Sequence, residues 1–548
     1  MPFRPTRFPP NRPSAMSPQE DFSNIQIESS LPKVWEQEQT FNDVLYDWMS
    51  RAPFLAIALA IHVLAFFAVN AIPWNLFEKE PAVILQATAP PPPPDVFEEP
   101  EPEEPEEIID DPIEEPVVTD TEVVEDTEVS DDVSDLDAPE SPFNSDQWNS
   151  AVGLGGGAGG GGGKFGGRQA GRKQVGGTIE RALLDGLEWL KDHQSPDGSW
   201  EARDFSENCE REGGDELANG EGDALHDTGV TALALLAFLG FGDTMDEGTY
   251  RDVIRAGIGW LRAQQDGDTG LVGPSTSKEY LYDHAIATLA LSEAYYGSKS
   301  PILKKSVKKA VDYCLDAQNP YSAWRYAVPP NSENDTSVTG WMVFALASAQ
   351  DAGIEVGDGT FEGALSWLDE ATDPLTGSAG YTSRGTRSSR LPRLISVYPD
   401  ELTEALTAVS VLSRIFIHNV QGTDPEKDEM IQLGADLMLE HLPEWDSAGG
   451  GGGDSGWAED DAGATNDMYY WYYGSYAMYQ LGGKHWEKWR KEMEKAILNN
   501  QRQAPPCYHG SWDPSGPWGH SGGRVYSTAL MVLCLEVYFR YGRVLGAR

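Results

Sequence analysis

The run Asp185-Gly-Leu-Glu-Trp-Leu-Lys-Asp-His-Gln-Ser-Pro-Asp-Gly-Ser-Trp200 decides the fold, because its spacing returns along the chain. Ala310, Tyr313, Gln318 and Trp324 repeat it closely, Gly257, Trp260-Leu261, Gln265 and Gly270 with a longer turn, and Ala364, Trp367-Leu368 and Gly377 in degenerate form. A small residue, an aromatic and a glutamine at these intervals share one helix face. Asp, Pro and Gly then end the helix, and the final Trp packs back on it. Each copy precedes a second apolar stretch of similar length, the signature of a helical-repeat protein.

Working outward, six helix pairs fill Thr178 to about Gly542. First helices start near Thr178, Tyr250, Ile302, Phe361, Asp428 and His485, and their partners near Asp227, Asp283, Asp335, Glu401, Asp467 and Val525. The first helices carry Lys, Glu and Arg on one face. The partners, such as Thr231-Ala-Leu-Ala-Leu-Leu-Ala-Phe238 and Thr339-Gly-Trp-Met-Val-Phe-Ala-Leu346, are apolar nearly all round, as expected of an inner ring. The expected fold is therefore all-α, an α/α toroid of six helical hairpins with no open solenoid end to cap.

Four segments are expected. Residues 1–52 are a polar cytoplasmic tail, and 53–73 a transmembrane helix whose apolar run Pro53 to Ile72 is broken only by His62 and Asn70. About 20 such residues cross the hydrocarbon core, and so long a stretch before them does not suit a signal peptide. Residues 74–177 are a disordered linker, first Pro/Glu-rich and acidic, then Gly-rich, and 178–548 are the toroid. Basic residues ahead of the anchor place the N-terminus in the cytoplasm and the toroid outside it, in a periplasm-like space.

The formal net charge is -48, from 40 Lys+Arg against 88 Asp+Glu, which excludes nucleic acid and an anionic membrane surface as partners. About half of that charge lies between Asp95 and Asp146, where no Lys or Arg occurs. Cys209, Cys314, Cys507 and Cys534 show no metal-ligand spacing, so no metal and no cofactor is expected. A Cys209–Cys507 disulfide is open if the domain lies outside the cytosol.

Asp227, Asp283, Asp335, Glu401 and Asp467 stand near the starts of successive inner helices, where carboxylates cap helices and, in a ring, gather at one mouth. Trp324, Tyr326, Trp341, Tyr469 to Tyr473, Tyr476, Trp512 and Trp518 concentrate at the same end. Five consecutive aromatics cannot all face one core, because a helix turns about 100° per residue. The expected ligand cavity therefore includes Asp283, Trp324, Tyr326, Trp341, Glu401, Tyr470, Trp471, Tyr473, Trp512 and Tyr526. Arg384, Arg387, Arg390 and Arg393 form a basic cluster in an acidic domain, and the loop Gly449 to Asp467 is acidic without EF-hand spacing.

Over roughly two-thirds of its length the chain resembles the α/α toroid superfamily of terpenoid cyclases and protein prenyltransferase β subunits. Gly186, Trp189-Leu190, Gln194, Gly198 and Trp200 are similar to the cyclases' QW motif, with Asp185 in place of the usual Lys or Arg. The resemblance implies the fold more strongly than a reaction. The cyclase acid run is matched only by Ser332-Glu333-Asn334-Asp335-Thr336, with Asn334 at the proton donor's position. The prenyltransferase zinc set is missing, since Asp312-Tyr-Cys314 lies on a first helix and Tyr526 replaces a histidine. The anchor and Glu/Pro repeats resemble the N-terminal part of TonB-type energy transducers, which implies a membrane-protein partner near His62.

The function these residues imply is a membrane-anchored toroid that binds an apolar or isoprenoid, glycan or peptide ligand without catalysis. The alternatives are a cyclase- or prenyltransferase-like enzyme acting on a polyprenyl substrate, with Asp335, Asp227 or Asp467 as its acid, and a TonB-like transducer.

Overall fold

The structure, a computed structural model, describes residues 163–541 apart from 174, 210, 212–216, 391 and 447–464. The anchor at 53–73 with His62, the acidic stalk, and most of the Gly449 to Asp467 loop lie outside the described residues. Among the described residues no helix is long and apolar enough to cross a membrane.

Among the described residues, thirteen helices of ten residues or more carry the fold. A first helix, α1 (Gly163–Arg172), precedes six hairpins: α2 (Gly177–Asp192) with α3 (Asp227–Gly240), α4 (Arg251–Ala263) with α5 (Tyr280–Ser298), and α6 (Pro301–Asp316) with α7 (Thr336–Asp351). There follow α8 (Asp358–Ala371) with α9 (Ala405–Val420), α10 (Glu429–Met438) with α11 (Met468–Leu481), and α12 (Gly483–Leu498) with α13 (Gly519–Leu535). The odd-numbered partners touch in the order α3, α5, α7, α9, α11, α13 and back to α3, so the ring closes. The even-numbered helices from α2 onward lie outside, each of α2 to α10 against two inner ones, and α12 against α11 and the outer helix α2.

Patterning explains the two layers. In α4 the buried residues are Ile254, Gly257, Ile258 and Leu261, one stripe at helical spacing, while every residue of α3 after Asp227 is buried.

The repeated glutamine and tryptophan do one job wherever they occur. Gln194 Nε2 donates to Gly198 O in its own turn and to Val253 O on the next outer helix, at 2.9 and 3.1 Å. Gln265 does the same with Gly270 and Ser306, and Gln318 with Ser322 and Thr360. The indole N–H groups of Trp200 and Trp324 donate to Leu190 O and Cys314 O, closing each turn on its helix. A further copy, which the sequence reading passed over, is Gln501 with Trp512. Gln501 binds Gly510 O and, across the seam, Ala182 O of α2, while Trp512 binds Ile497 O. The last hairpin thus grips the first by the same device that joins the first four hairpins in sequence.

The turn glycines are required by contact as well as conformation. Gly198 has φ +99 and its missing Cβ would lie 2.4 Å from Ala256 O, and Gly510, at φ +92, would meet Asp185 O at 2.1 Å.

The folded part begins before the expected Thr178. Helix α1, which falls inside the stretch read as linker, docks where the inner helices end. Arg168 donates to Leu239 O, to Arg540 O and to Glu293 at 2.8, 3.0 and 3.0 Å and is fully buried. Carbonyl-rich helix ends and a buried carboxylate attract a guanidinium there. Glycine-rich composition concealed the helix, because glycine disfavours helices locally and only these tertiary contacts offset that.

Candidate functional site

The inner helices begin at the opposite end, where the longer outer-to-inner loops also lie. Asp335 is the N-cap of α7: its Oδ1 accepts Val338 N–H at 2.7 Å, and its own N–H donates to Trp324 O at 2.8 Å. Asp467 caps α11 through Tyr470 N–H at 3.1 Å and is clamped by Arg390 and Thr403 on its second oxygen. Asp227 accepts Ala202 N–H at 2.8 Å. Helix capping therefore accounts for Asp335 and Asp467, while Asp227 stands in the first turn of α3 and holds a loop amide.

Asp283 and Glu401 differ further. Asp283 caps nothing: it lies buried in the first turn of α5 with His226 Nδ1 at 3.3 Å. Glu401 is exposed, in a short 3-10 turn ahead of α9, and the buried polar residue at this place in the ring is Thr403. Glu401-Leu402-Thr403-Glu404 offers two carboxylates three residues apart, and spacing could not tell which one meets the mouth.

Asp335 has a second feature that capping leaves open. Its Oδ2 lies 3.9 Å from Arg325 Nε, and neither atom has a hydrogen-bond partner among the described residues. Around this pair stand Tyr326 and Tyr381, joined hydroxyl to hydroxyl at 2.6 Å, with the Arg325 guanidinium 5.7 and 6.0 Å from their ring centroids. Tyr282 packs on Tyr326 at 6.1 Å. Tyr282, Tyr326, Tyr381, Trp518 and Tyr526 are all half-buried, and the Tyr526 hydroxyl has no hydrogen-bond partner among the described residues. The mouth is a shallow bowl of aromatic rings with titratable groups in its wall.

Burial shapes those groups. It pushes the Asp335 carboxyl up to about 7 against the opposing pull of Val338 N–H and Arg325, and Asp227 up to about 6. Burial also raises Asp283. It pulls His226 down, but the Asp283 carboxylate more than offsets this and leaves the imidazole above its usual value.

Below the bowl the ring is full. Trp341 of α7 stacks on Tyr472 of α11 at 5.7 Å, reaching past α9, and Ser337 meets the Tyr469 hydroxyl at 2.9 Å along the same path. Phe344 packs on Phe416 at 4.5 Å and on Tyr473 at 5.1 Å. Trp341, Phe344, Phe416, Tyr472, Tyr473, Tyr476 and Tyr541 are each no more than 4% exposed, so aromatic side chains occupy the middle of the ring.

The expected cavity residues therefore divide. Asp283, Tyr326 and Tyr526 reach the mouth, whereas Trp341 and Tyr473 fill the lumen. Trp324 and Trp512 tie helices together, as shown above. Tyr470 and Trp471 point outward, the former donating to Met438 O and His441 O, the latter packing on Trp445. Of the arginine cluster, Arg390 is buried and structural, held by Asp467, Thr403 and Tyr398 O. Sequence reasoning missed Arg325, Tyr381, Tyr282 and His226. Tyr381 was findable: Ala379 takes the place of Trp324 in the repeat, so Tyr381 matches Tyr326.

No family profile matches the chain, and no curated protein sequence is similar to it. Among solved structures, the chain is similar to an inactive variant of the alpha-1,6-mannanase GH76A of Salegentibacter sp. HEL1_6 in complex with alpha-1,6-mannotriose. That match has 10% identity over 65% of this chain and 98% of the other, with TM-score 0.43. It is similar also to the glycoside hydrolase family 76 mannosidase Bt3792 of Bacteroides thetaiotaomicron, at 9% over 66% and 98%, TM-score 0.43. A third is the type II terpene cyclase MstE of Scytonema, at 13% over 66% and 98%, TM-score 0.38. These likenesses are distant, and the ring described above rests on this chain's own contacts.

Proposed function

We propose that the toroid is a ligand-binding module, held outside the cytoplasm by the anchor at 53–73, whose mouth takes a glycan. The observation that carries this reading is the Asp335 Oδ2 and Arg325 Nε pair, 3.9 Å apart and without a hydrogen bond among the described residues, beside the half-buried Tyr282, Tyr326 and Tyr381. A sugar offers both things the bowl lacks, an apolar ring face for aromatic stacking and hydroxyls that donate to a carboxylate and accept from a guanidinium. A long isoprenoid chain fits less well, since the lumen below is filled by side chains. Calorimetry of the full chain with a panel of neutral oligosaccharides tests the reading. At least tenfold weaker binding in both Tyr326→Ala and Asp335→Asn supports it, and binding unchanged in both would sink it. Protease treatment of intact spheroplasts, with cleavage in the 74–162 stalk expected, checks the topology.

A catalytic reading has one observation in its favour. A carboxyl that keeps its proton up to about pH 7 next to tyrosine hydroxyls is suited to general-acid work. Turnover of any bound oligosaccharide that disappears in Asp335→Asn while binding persists would convert the module into an enzyme.

A further inference from the structure

Away from the mouth cluster, at the seam where the first hairpin meets the last, three chemistry-bearing side chains converge from distant points of the sequence. His193 follows the last residue of α2, Cys209 follows the turn Phe205–Asn208, and Cys507 lies in the loop between α12 and α13. One donor atom from each lies within 4.8 Å of the other two. His193 and Cys507 are fully buried, and Cys209 is half-buried.

The imidazole is held in the state a metal needs. His193 Nδ1 is 2.7 Å from Trp189 O, and a carbonyl only accepts, so Nδ1 carries the ring proton and Nε2 is bare. The ring stacks on Trp189 at 4.0 Å and lies against Phe205, which fixes its orientation. Nε2 then points at Cys507 Sγ, 3.5 Å away. With zinc to sulfur at about 2.3 Å and zinc to nitrogen at about 2.0 Å, two ligands at the tetrahedral angle stand roughly 3.5 Å apart.

The surroundings are braced as well. Trp189 Nε1 donates to Cys507 O at 2.8 Å, and Arg211 ties Asp192 to the carbonyls of Pro506 and His509. A histidine ligand whose other nitrogen donates to a backbone carbonyl is the usual outer-shell arrangement of a protein metal site.

The chain holds its own contrast. His284 Nε2 lies 3.4 Å from Cys314 Sγ, but that ring is already used on both sides: Nδ1 accepts Val272 N–H and Nε2 meets Ala310 O. No bare nitrogen remains there.

We propose that His193 Nε2 and the sulfurs of Cys209 and Cys507 bind one zinc ion that rivets the loop between α2 and α3 to the loop between α12 and α13. On binding, the two thiols lose their protons to solvent, and the two thiolates balance the dication, leaving a neutral buried site. Three protein donors leave the fourth tetrahedral position to water. Soft sulfur with imidazole favours zinc over magnesium or calcium.

The test uses the full chain, purified in detergent under reducing conditions and dialysed against metal-free buffer with and without added zinc. One zinc per chain is expected, with a thiolate charge-transfer absorption when cobalt(II) replaces it. Cys209→Ser, Cys507→Ser and His193→Gln should drop zinc to background, while Cys314→Ser retains it. A reduced wild-type chain that takes up no zinc and gives no cobalt–thiolate absorption overturns the proposal without recourse to any variant. Zinc that survives Cys507→Ser, or a stoichiometric Cys209–Cys507 disulfide in the chain as isolated, overturns it too.

Discussion

Asp335 is both a cap and a buried acid, and its titration separates the two roles. An acid whose folded pKa is raised holds its proton more tightly in the folded chain than in the unfolded one. Its contribution to stability therefore falls as pH climbs from the ordinary value of 3.8 to about 7, and is level above that. Asparagine keeps the Val338 cap without the charge. Asp335→Asn is expected to match the wild type near pH 4 and to exceed it by on the order of 3 kcal/mol at pH 8, read by urea unfolding at a series of pH values. A constant difference across that range would mean that the carboxyl is already ionised in the folded chain. The candidate residue was legible in the sequence because it precedes an apolar helix. Tyr381 was legible only through the repeat register that aligns it with Tyr326, and Arg325 was not, because it lies in a turn whose course depends on how the loop returns to the ring.

At the scale of the element, the hairpins are bound by contacts that recur in register, and these predict graded losses. Gln501→Ala removes hydrogen bonds to Ala182 O and Gly510 O at the seam and is expected to cost about 2 kcal/mol, measured by chemical denaturation. The small residue of the repeat is equally constrained. A Cβ at Gly186 would lie 2.6 Å from Val532 Cγ2 and 3.1 Å from the Trp512 ring, so Gly186→Ala overpacks the seam by about 1–3 kcal/mol. A loss under half a kcal/mol in both would show that seam contacts are dispensable. Helix starts were readable to within a few residues from capping and periodicity. The rotation of each inner helix was not: a helix buried on every side has no polar face to mark its outside, which is why Tyr470 and Trp471 were assigned to the lumen and face outward.

At the scale of the whole ring, the end where the inner helices finish is closed by buried charge. Arg168, from the segment read as linker, and Arg540 share Glu293, with Arg540 also pairing Glu536, and all four are fully buried. Removing one partner of such a network strands charge in the interior. Arg168→Ala is expected to cost about 3 kcal/mol, toward the lower end for buried pairs because Arg540 still faces Glu293. An unchanged melting temperature in the full chain would show that α1 is only loosely held.

The sequence by itself determined the class of this protein: a repeat of small residue, aromatic, glutamine, glycine and tryptophan, alternating with wholly apolar helices, has few stable outcomes besides a double ring. That information is local, carried by periods of a few residues and by turn chemistry. Tertiary structure alone decided that the lumen is packed, that an arginine from a glycine-rich stretch closes its far end, and that His193, Cys209 and Cys507 meet. Those outcomes depend on side chains brought together by ring closure across some three hundred residues, and nothing in their neighbourhoods along the chain records it.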